Sequence, residues 1–199
     1  PYLSDEDIKD TDVDILATNI RDLVRAVANQ VDQRILTVLG DTLGTGGNVN
    51  TAAATADGWN DTATGDPIKD ILTGIQNIRT YSYDVKNIVI YMNQAEHRHL
   101  VEFLISVKGS SIPQYSSERI KDGVIMSILG CDVVVSNNMS TDTVIMFVPK
   151  KACTWKQFTP LTTATIKDPG IGTKIRVWEE GEAILTDPRA VHVITDTIV

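Results

Sequence analysis

The sequence predicts an α+β protein, in which a long helix and a polar loop lead into a compact α/β unit and a closing antiparallel sheet. Three observations support this fold class. Apolar residues follow a helical period through residues 11–40, helix and strand signals alternate over 66–104, and a period of two dominates 150–199. We therefore expect residues 150–199 to form one sheet that is covered by the opening helix, with a separate domain inserted between them.

Residues 12–39 are predicted to form a single long helix. Asp10, Thr11 and Asp12 offer capping oxygens at its start, and Gly40 can adopt the left-handed turn that ends a helix. At 1.5 Å per residue, such a helix is about 42 Å long. We expect its apolar stripe to pack against the core, and the alternative is that part of it meets a neighbouring subunit. The stripe consists of Val13, Leu16, Ile20, Leu23, Val24, Val27, Val31, Ile35, Val38 and Leu39.

Residues 41–65 are predicted to form a long loop, because Gly, Thr, Ala and Asn dominate the segment. Its GTGG sequence is not a phosphate-binding loop, since the Lys and the Ser or Thr of that motif are missing and the segment follows a helix. Trp59 is the one large anchor. We expect it to fix the loop to the body of the protein, and a contact with a partner is the alternative.

The segment from Asp66 begins with a predicted helix. Asp66 can cap this helix, and Pro67 suits its first turn. Gly74 lies in the helix interior, where glycine costs about 1 kcal/mol relative to alanine, which indicates close packing at that position. The predicted buried face consists of Ile68, Ile71, Leu72, Ile75 and Ile78.

A buried strand and a second helix follow directly. Residues 87–92, NIVIYM, are apolar and rich in β-branched side chains, as is typical of a buried strand. Asn93 can cap the next helix, and Glu96 stands at capping-box spacing from it. The buried positions of this helix are predicted to be Ala95, Leu100, Phe103 and Leu104.

The remainder of the chain reads as loop and strands. Residues 108–119 form a polar loop, and β-like segments follow at 124–129, 132–136 and 143–148. From residue 151 the β pattern continues to the end. Lys174, Arg176 and Trp178 alternate there with Ile175, Val177 and Glu179, as in a half-solvated strand.

Composition excludes several classes of protein. The chain has 199 residues and a net charge of −8, with an isoelectric point near 4.8. Its basic residues are scattered, which argues against tight binding of nucleic acid. No apolar run approaches the roughly 18 residues of a membrane span, and the acidic first ten residues do not resemble a signal peptide. Cys131 and Cys153 lack metal-ligand spacing and are predicted to be reduced core residues.

Candidate catalytic residues do not converge on a motif. His97 and His99 are two apart on a helix, so they point in different directions and cannot share a metal ion; we expect both to be solvated. His192 is predicted to be a satisfied residue within the sheet.

Three carboxylates of the closing sheet, Glu179, Glu180 and Glu182, are candidate acid/base groups. Glu180 and Glu182 should face one side of a strand and Glu179 the other, unless Gly181 introduces a bulge. A solvated edge or a salt bridge between subunits is the preferred interpretation. We therefore predict no catalytic residues, no cofactor-binding residues, no metal site and no enzymatic activity.

The order of these elements resembles the major capsid protein of tailed viruses, from bacteriophages or archaeal viruses, with the Hong Kong 97-type fold. IRDLVRAVANQVDQRILTVLG resembles the spine helix of that family, and DPIKDILTGIQNIRT with KNIVIYMNQAEHRHLVEFL resembles its axial domain. DGVIMSILGCDVVVSNNM, TVIMFVPKKACTWKQF and VWEEGEAILTDPRAVHVIT resemble its passage back to the peripheral domain and the closing strands.

This resemblance implies a structural role. Residues 1–45 with the spine helix and 149–199 with the antiparallel sheet would form the peripheral domain, and 46–148 the axial domain. The loop 108–119 would meet its copies at the centre of a capsomer. The partners implied are copies of the chain itself in pentamers and hexamers, DNA packaged nearby but not tightly bound, and scaffold, protease or portal proteins, with no membrane and no cofactor. The location implied is the virion capsid, assembled in the host cytoplasm.

The chain differs from the family pattern in the segment before the predicted long helix. Ten residues precede the predicted helix, where the family carries an N-terminal arm and an extension hairpin, so we expect a truncated, processed or variant chain. An encapsulin-type nanocompartment shell shares the fold and is the nearest alternative. A small enzyme with a site in loop 41–65 and a nucleic-acid-binding module are the others.

Some members of the family link a hairpin Lys covalently to an Asn of the closing sheet. Residues 150–199 contain no Asn, so we predict that assembled particles carry no such crosslink. Denaturing electrophoresis of particles should then give a single band at the mass of one subunit. A ladder of covalent oligomers would contradict this prediction.

Overall fold

A computed structural model of the chain describes residues 2–4, 8, 14–41, 50–54, 58–61, 64–106 and 127–198. Within these ranges the chain forms two compact units. The first, called here the helix–hairpin unit, contains Pro1–Ile35 and Trp155–Ile184, and the second, called the sheet unit, contains Leu36–Thr154 and Leu185–Val199. The predicted α+β composition is therefore present in both.

Helix α1 spans Ile15–Gly40, which at 1.5 Å per residue is about 39 Å. Asp14 caps it, because its Oδ1 accepts a hydrogen bond of 3.0 Å from the backbone N–H of Ala17. The predicted caps at 10–12 lie outside the described residues. Gly40 ends the helix without a positive φ, so the predicted left-handed turn is wrong there. A side chain at Gly40 would meet Ile145 Cδ1 at 3.2 Å, and close packing accounts for this glycine.

The helix–hairpin unit contains a three-stranded sheet in the order β1-β8-β7. Its strands are β1 (Tyr2–Ser4), β7 (Cys153–Asp168) and β8 (Gly172–Leu185). A turn around Gly170, which has a φ of 78°, joins β7 to β8. Strand β1 runs antiparallel to β8, with Leu3 opposite Thr173. The long strands agree with the period of two in the sequence.

The sheet unit contains a six-stranded mixed sheet in the order β2-β9-β6-β3-β5-β4. Two helices accompany it, α2 (Pro67–Thr80) and α3 (Gln94–Ser106). Short 3-10 helices occur at Val85–Asn87 and Pro188–Ala190. The strands are β2 (Asn50–Ala53), β3 (Val89–Met92), β4 (Ser127–Ile128), β5 (Cys131–Val135), β6 (Thr143–Phe147) and β9 (Val191–Thr195).

The last strand does not join the sheet that the sequence predicted for it. Strand β9 lies between β6, to which it is antiparallel, and β2, to which it is parallel. The expectation of one closing sheet over 150–199 is therefore wrong, because β9 belongs to the sheet unit. The predicted loop 41–65 likewise contains a strand, β2, which was missed because Asn50, Ala52 and Ala53 are residue types depleted in strands and only Thr51 favours one. The predicted peripheral and axial ranges, 1–45, 46–148 and 149–199, concern roles in a capsomer and stay a prediction.

Helix α2 begins as the sequence predicts. The Asp66 carboxylate accepts a hydrogen bond of 3.2 Å from Lys69 N–H, and Pro67 occupies the first turn. Of the predicted buried face, Ile71, Ile75 and Ile78 are buried. Ile68 is half-buried. Leu72 is 49% exposed, so its predicted burial is wrong; the contact face is narrower than the apolar stripe and is centred on Gly74.

Gly74 allows α2 to approach the sheet closely. A Cβ atom at this position would lie 2.5 Å from Met146 Sδ and 2.7 Å from His192 Cδ2. Met146 and His192 are directly opposite each other in β6 and β9, and both are fully buried. The close packing that the helix-interior glycine indicated is confirmed.

We predict that Gly74→Ala destabilises the protein by about 1–3 kcal/mol, because Met146 and His192 are enclosed and must shift together. The predicted value is the net change in stability, after the roughly 1 kcal/mol that alanine gains in helix propensity has been subtracted from the steric cost. The midpoint of urea unfolding measures it. The exposed neighbour provides the control: Thr73→Ala should change stability by less than about 0.5 kcal/mol. Equal midpoints for both variants would contradict the packing argument.

His192 is buried without compensation for its ring. Its side chain has no exposed surface, and neither ring nitrogen has a hydrogen-bond partner in the part of the chain that the structure describes. The sequence-based expectation of a satisfied histidine is therefore wrong for the side chain, although the backbone is paired on both sides, with Asn50 and Met146. Burial lowers the pKa of His192 to about 4, so the ring is neutral near pH 7.

We predict that His192 makes the protein sensitive to acid. Because its folded pKa is about 4 and its unfolded value about 6.5, the unfolded state binds more protons between these values, and stability falls as pH falls from 7 towards 4. At pH 5 this loss amounts to about 2 kcal/mol. His192→Leu should lose about that much less stability than the wild type between pH 7 and pH 5 in denaturant titrations.

If the variant folds poorly, NMR titration of the wild-type His192 ring gives the same information. A ring that titrates near pH 4 agrees with the prediction, and one that titrates near 6.5 contradicts it.

Candidate assembly surface

The helix–hairpin unit carries an unusually open apolar helix face. Within Ile15–Ile35, every stripe position is half-buried and none is buried. The half-buried apolar positions are Ile15, Leu16, Ile20, Leu23, Val24, Val27, Val31 and Ile35. Farther along α1, Leu36 and Leu39 are buried in the sheet unit. The first five turns of the helix are thus covered incompletely within the chain.

One side of the hairpin is organised by a tryptophan and a carboxylate. Trp155 Nε1 donates a hydrogen bond of 3.1 Å to Glu179 Oε1, and Gln157 Nε2 donates one of 2.9 Å to the same oxygen. A side chain at Gly181 would overlap the Trp155 ring, so the glycine makes room for the indole. Glu179 is therefore held by two neutral donors and takes a structural part in the hairpin.

A cavity of about 400 Å³ opens in the same unit, between α1 and the hairpin. Its walls are largely apolar, and the polar groups at its edge are Gln30, Arg34 and Glu179. The other lining residues are Leu23, Ala26, Val27, Val31, Trp155 and Trp178. The predicted closeness of the opening helix and the long closing strands is confirmed here for β7 and β8.

The other side of β8 is exposed and charged. Residues with even numbers from 174 to 184 are all exposed, and the alternation continues through Gly181 without a change of side. Glu180 and Glu182 accordingly lie on the exposed side and Glu179 on the other, as the period of two predicts. Thr159 Oγ1 donates a hydrogen bond of 3.0 Å to Glu180 Oε2. No three of these carboxylates, or of any His, Cys, Asp or Glu in the described ranges, form a group suited to a metal ion.

Large apolar side chains are also exposed along the hairpin. Phe158 is 60% exposed and Ile171 is 64% exposed. The other exposed large apolar residues of β7 and β8 are Leu161, Ile166, Trp178 and Ile184. Lys156 Nζ lies 5.6 Å from the centre of the Phe158 ring, a cation–π contact that covers little of it. Apolar residues concentrated in this way on an exposed hairpin are typical of a surface that contacts another protein.

The two units differ in how much they bury. Among the described side chains of the helix–hairpin unit, those that are buried belong to Thr173, Ile175 and Ala183. The sheet unit has a large core: Leu39, Trp59, Ile71, Ile78, Ile88, Ile90, Met92, Leu100, Leu104, Ile128, Ile145 and Met146 are fully buried. A unit with one large buried side chain gains little from burial, so contacts from outside the chain have most to add there.

The histidines of α3 do not form a site. His97 and His99 are both half-buried, so the expectation that they are solvated is wrong in degree. Burial lowers the pKa of His97. His99 Nδ1 lies 3.9 Å from Glu102 Oε2, one helical turn away. The two rings have separate environments, in line with their spacing of two residues.

Glu96 has a role that the sequence analysis missed. It is fully buried, and its Oε1 accepts a hydrogen bond of 2.6 Å from the backbone N–H of Asp142 instead of closing a capping box. Asn93 does cap α3, and its Nδ2 donates to the Met139 carbonyl at 2.7 Å. Asp142 Oδ1 in turn accepts from Ile198 N–H at 2.9 Å. The turn before β6 is thereby tied both to α3 and to the residues after β9.

The other residues singled out from the sequence, Trp59, Cys131 and Cys153, contribute to packing within the protein. Trp59 is 2% exposed, and its Nε1 donates a hydrogen bond of 2.9 Å to Asp70 Oδ2, so it does anchor its segment. Cys131 is buried and Cys153 half-buried, and neither forms a disulfide bond with another described residue; burial raises the pKa of Cys131 to about 11. Loop 108–119 lies outside the described residues. Among the described helices, none is both long and apolar enough to span a membrane.

Comparison with solved structures identifies the fold. The chain is similar to a structure from Mycobacterium phage Che8, with a TM-score of 0.76 at 19% identity, covering 100% of this chain and 70% of that one. It is similar to the capsid of cyanophage P-SCSP1u, with a TM-score of 0.75 at 12% identity, covering 98% and 70%. A virus-like particle from Pyrococcus furiosus gives 0.56 at 11% identity, covering 85% and 64%. The architecture is the Hong Kong 97-type capsid fold, as the resemblance implied.

Comparison of the sequence itself gives the family. A search of curated proteins finds no match. The model of the phage capsid protein family matches residues 2–194. Since this match runs through nearly all of the chain, the chain belongs to the phage capsid protein family and is a capsid subunit.

Proposed function

We propose that this chain assembles with its own copies, through pentamers and hexamers, into an icosahedral shell that encloses viral DNA. The family match over residues 2–194 and the similarity to capsid structures support this proposal. The chain spans 70% of the length of the Che8 chain and 64% of the Pyrococcus chain. Its role is structural, and we propose no enzymatic activity for it.

The observation that carries the proposal is the small core of the helix–hairpin unit. A long helix with no buried residue in Ile15–Ile35 and a hairpin with exposed Phe158 and Ile171 leave apolar surface that the chain does not cover itself. Covering such surface contributes about 25 cal/mol per Å². Neighbouring subunits in a shell supply that cover at every position of the lattice.

The two units suggest which residues form the peripheral part of a capsomer and which form the axial part. Residues 1–45 and 149–184 would serve as the peripheral part that neighbouring capsomers share, and 46–148 as the axial part, with loop 108–119 at the capsomer centre. The pairing of β9 with β6 supports counting 185–199 with the axial part. Scaffold, protease and portal proteins would act on these surfaces during assembly in the host cytoplasm.

The net charge suits a container for DNA. At −8 per chain, copies of the protein repel phosphate at long range, so packaged DNA stays close without being held tightly. The shell then needs no sequence-specific contact with its contents.

Electron microscopy of the expressed full-length gene product tests the proposal. Closed icosahedral particles that protect DNA from nuclease in infected or induced cells support a viral capsid. Particles that enclose a protein cargo and no DNA indicate an encapsulin-type shell and contradict the viral part. A gene product that stays monomeric together with its phage partner proteins contradicts assembly altogether.

We predict that Phe158→Ser combined with Ile171→Ser lowers particle yield at least tenfold. Both side chains are more than half exposed in the subunit, so the free energy of unfolding of the unassembled subunit should change by less than about 0.5 kcal/mol. Sedimentation of particles and urea unfolding of subunits measure the two effects. Thr165→Ser, at an exposed position of the same strand, is the control and should assemble normally. Normal yield from the double variant would show that the exposed hairpin is not an assembly contact.

A further inference from the structure

The exposed side of β8 carries an ordered series of charges. Lys174 and Arg176 come first, Trp178 stands in the middle, and Glu180 and Glu182 follow. All five side chains are exposed, and the alternation of β8 assigns them to one side of the strand; Trp178 also lines the cavity between α1 and the hairpin. We call these five residues the β8 charge face.

The charges of this series are opposite in sign to those of the same series read in the other direction along the strand. Position 174 is as far before Trp178 as 182 is after it, and 176 is as far before as 180 is after. If a second copy of the strand lies over the first in the opposite direction, Lys174 meets Glu182 of the second copy and Arg176 meets Glu180. Each pair occurs twice, and Trp178 meets its own copy at the centre.

We propose that the β8 charge face is a two-fold contact between two copies of this chain. The proposal rests on the proposed function, because it assigns one of the contacts that join subunits in the shell. A contact of this kind is isologous, since both copies use the same residues and the pair is closed. Its occupant is a second subunit, and the charge order selects the antiparallel arrangement.

The dimensions of a strand agree with this arrangement. Alternate residues on one side of a strand are about 6.7 Å apart, so residues 176 and 180 lie about 7 Å from the axis and 174 and 182 about 13 Å from it. Packed sheets are separated by about 10 Å, a gap that Lys, Arg and Glu side chains can bridge from both sides. A parallel arrangement places Lys174 on its own copy and repels.

The charges have no competing partners in the described chain. Neither Lys174 nor Arg176 makes an ion pair with another described residue, and the contact described for Glu180 is the hydrogen bond from the neutral Thr159 hydroxyl. The five residues together carry two positive and two negative charges, so the pairing leaves no net charge at the contact. Trp178, 37% exposed, provides the apolar centre that interface contacts commonly have.

Charge reversal within one chain tests the proposal directly. Arg176→Glu places like charges against Glu180 twice per contact, and Glu180→Arg places like charges against Arg176 twice. Either single variant should need about tenfold more subunit to assemble. The double variant carries both reversals and restores both pairs, so it should assemble within about twofold of the wild type. An equal mixture of the two single variants should assemble better than either alone.

The control for the reversal is Arg98→Glu, at an exposed position on α3 outside the β8 charge face. The combination of Arg98→Glu with Glu180→Arg should assemble no better than Glu180→Arg alone. Single variants that assemble normally, or a double variant as weak as the singles, overturn the two-fold contact. In both cases wild-type particles still form, so the proposed function stands; absence of particles from the wild type is the separate outcome that contradicts it.

Crosslinking provides a second measurement. Trp178→Cys puts one thiol of each copy beside the axis, and a bismaleimide with a reach of about 10 Å should join them into covalent dimers and nothing larger, because each thiol is used once. Lys167→Cys, farther along the hairpin, should give few dimers. The buried Cys131 and half-buried Cys153 set the background, which unmodified particles measure. No more dimer from Trp178→Cys than from this background overturns the proposal.

Discussion

The sheet unit depends on the position of β9 between β2 and β6. Its five residues pair with Thr143–Phe147 on one side, and four of them pair with Asn50–Ala53 on the other, so one short strand joins two segments that are distant from it and from each other in the chain. Its residues Val191–Ile194 are all buried, and α2 packs so closely on this part of the sheet that only a glycine fits at position 74. The position of α2, the neutral state of His192 and the burial of the strands around it all follow from this pairing.

The helix–hairpin unit follows a different physical logic. Its strands are long and its hydrogen bonds are satisfied locally, as in the interaction of Trp155 with Glu179, but it buries few large apolar side chains. Hydrogen bonds of this kind fix the shape of the hairpin and add about 1–3 kcal/mol each to stability. The unit therefore has a defined backbone shape, but part of its apolar surface is not covered by the chain itself. A subunit of an assembly needs both properties if neighbouring copies are to bury that surface. Family membership and this imbalance lead independently to the same role.

Individual helices and strands could be predicted from the sequence better than the pairing of the strands in the sheets. The stripe of α1, the start of α2 at Asp66 and the strand 87–92 were readable because local periodicity and capping report on one element at a time. The pairing of β9 was not, since alternation reveals a strand but says nothing about its neighbour; the continuous apolar character around His192 was the available signal of a central strand. For the assembly surface, the alternation over 174–179 was predicted, whereas the exposure of Phe158 required knowledge of what the chain covers.

Because the chain is synthesised from its N-terminus, the strands that pair with β9 are made well before β9 itself. Asn50 pairs with His192, 142 residues later, and ribosomes add about 5–20 residues per second, so β2 waits roughly 7–28 s for its partner. During that interval the edges that β9 will occupy stay open, and nascent chains on neighbouring ribosomes have unfinished sheets at close quarters. Because β9 closes the sheet, a subunit acquires the finished surface of its sheet unit only after residues 191–195 have been made, so association through that surface cannot precede their synthesis.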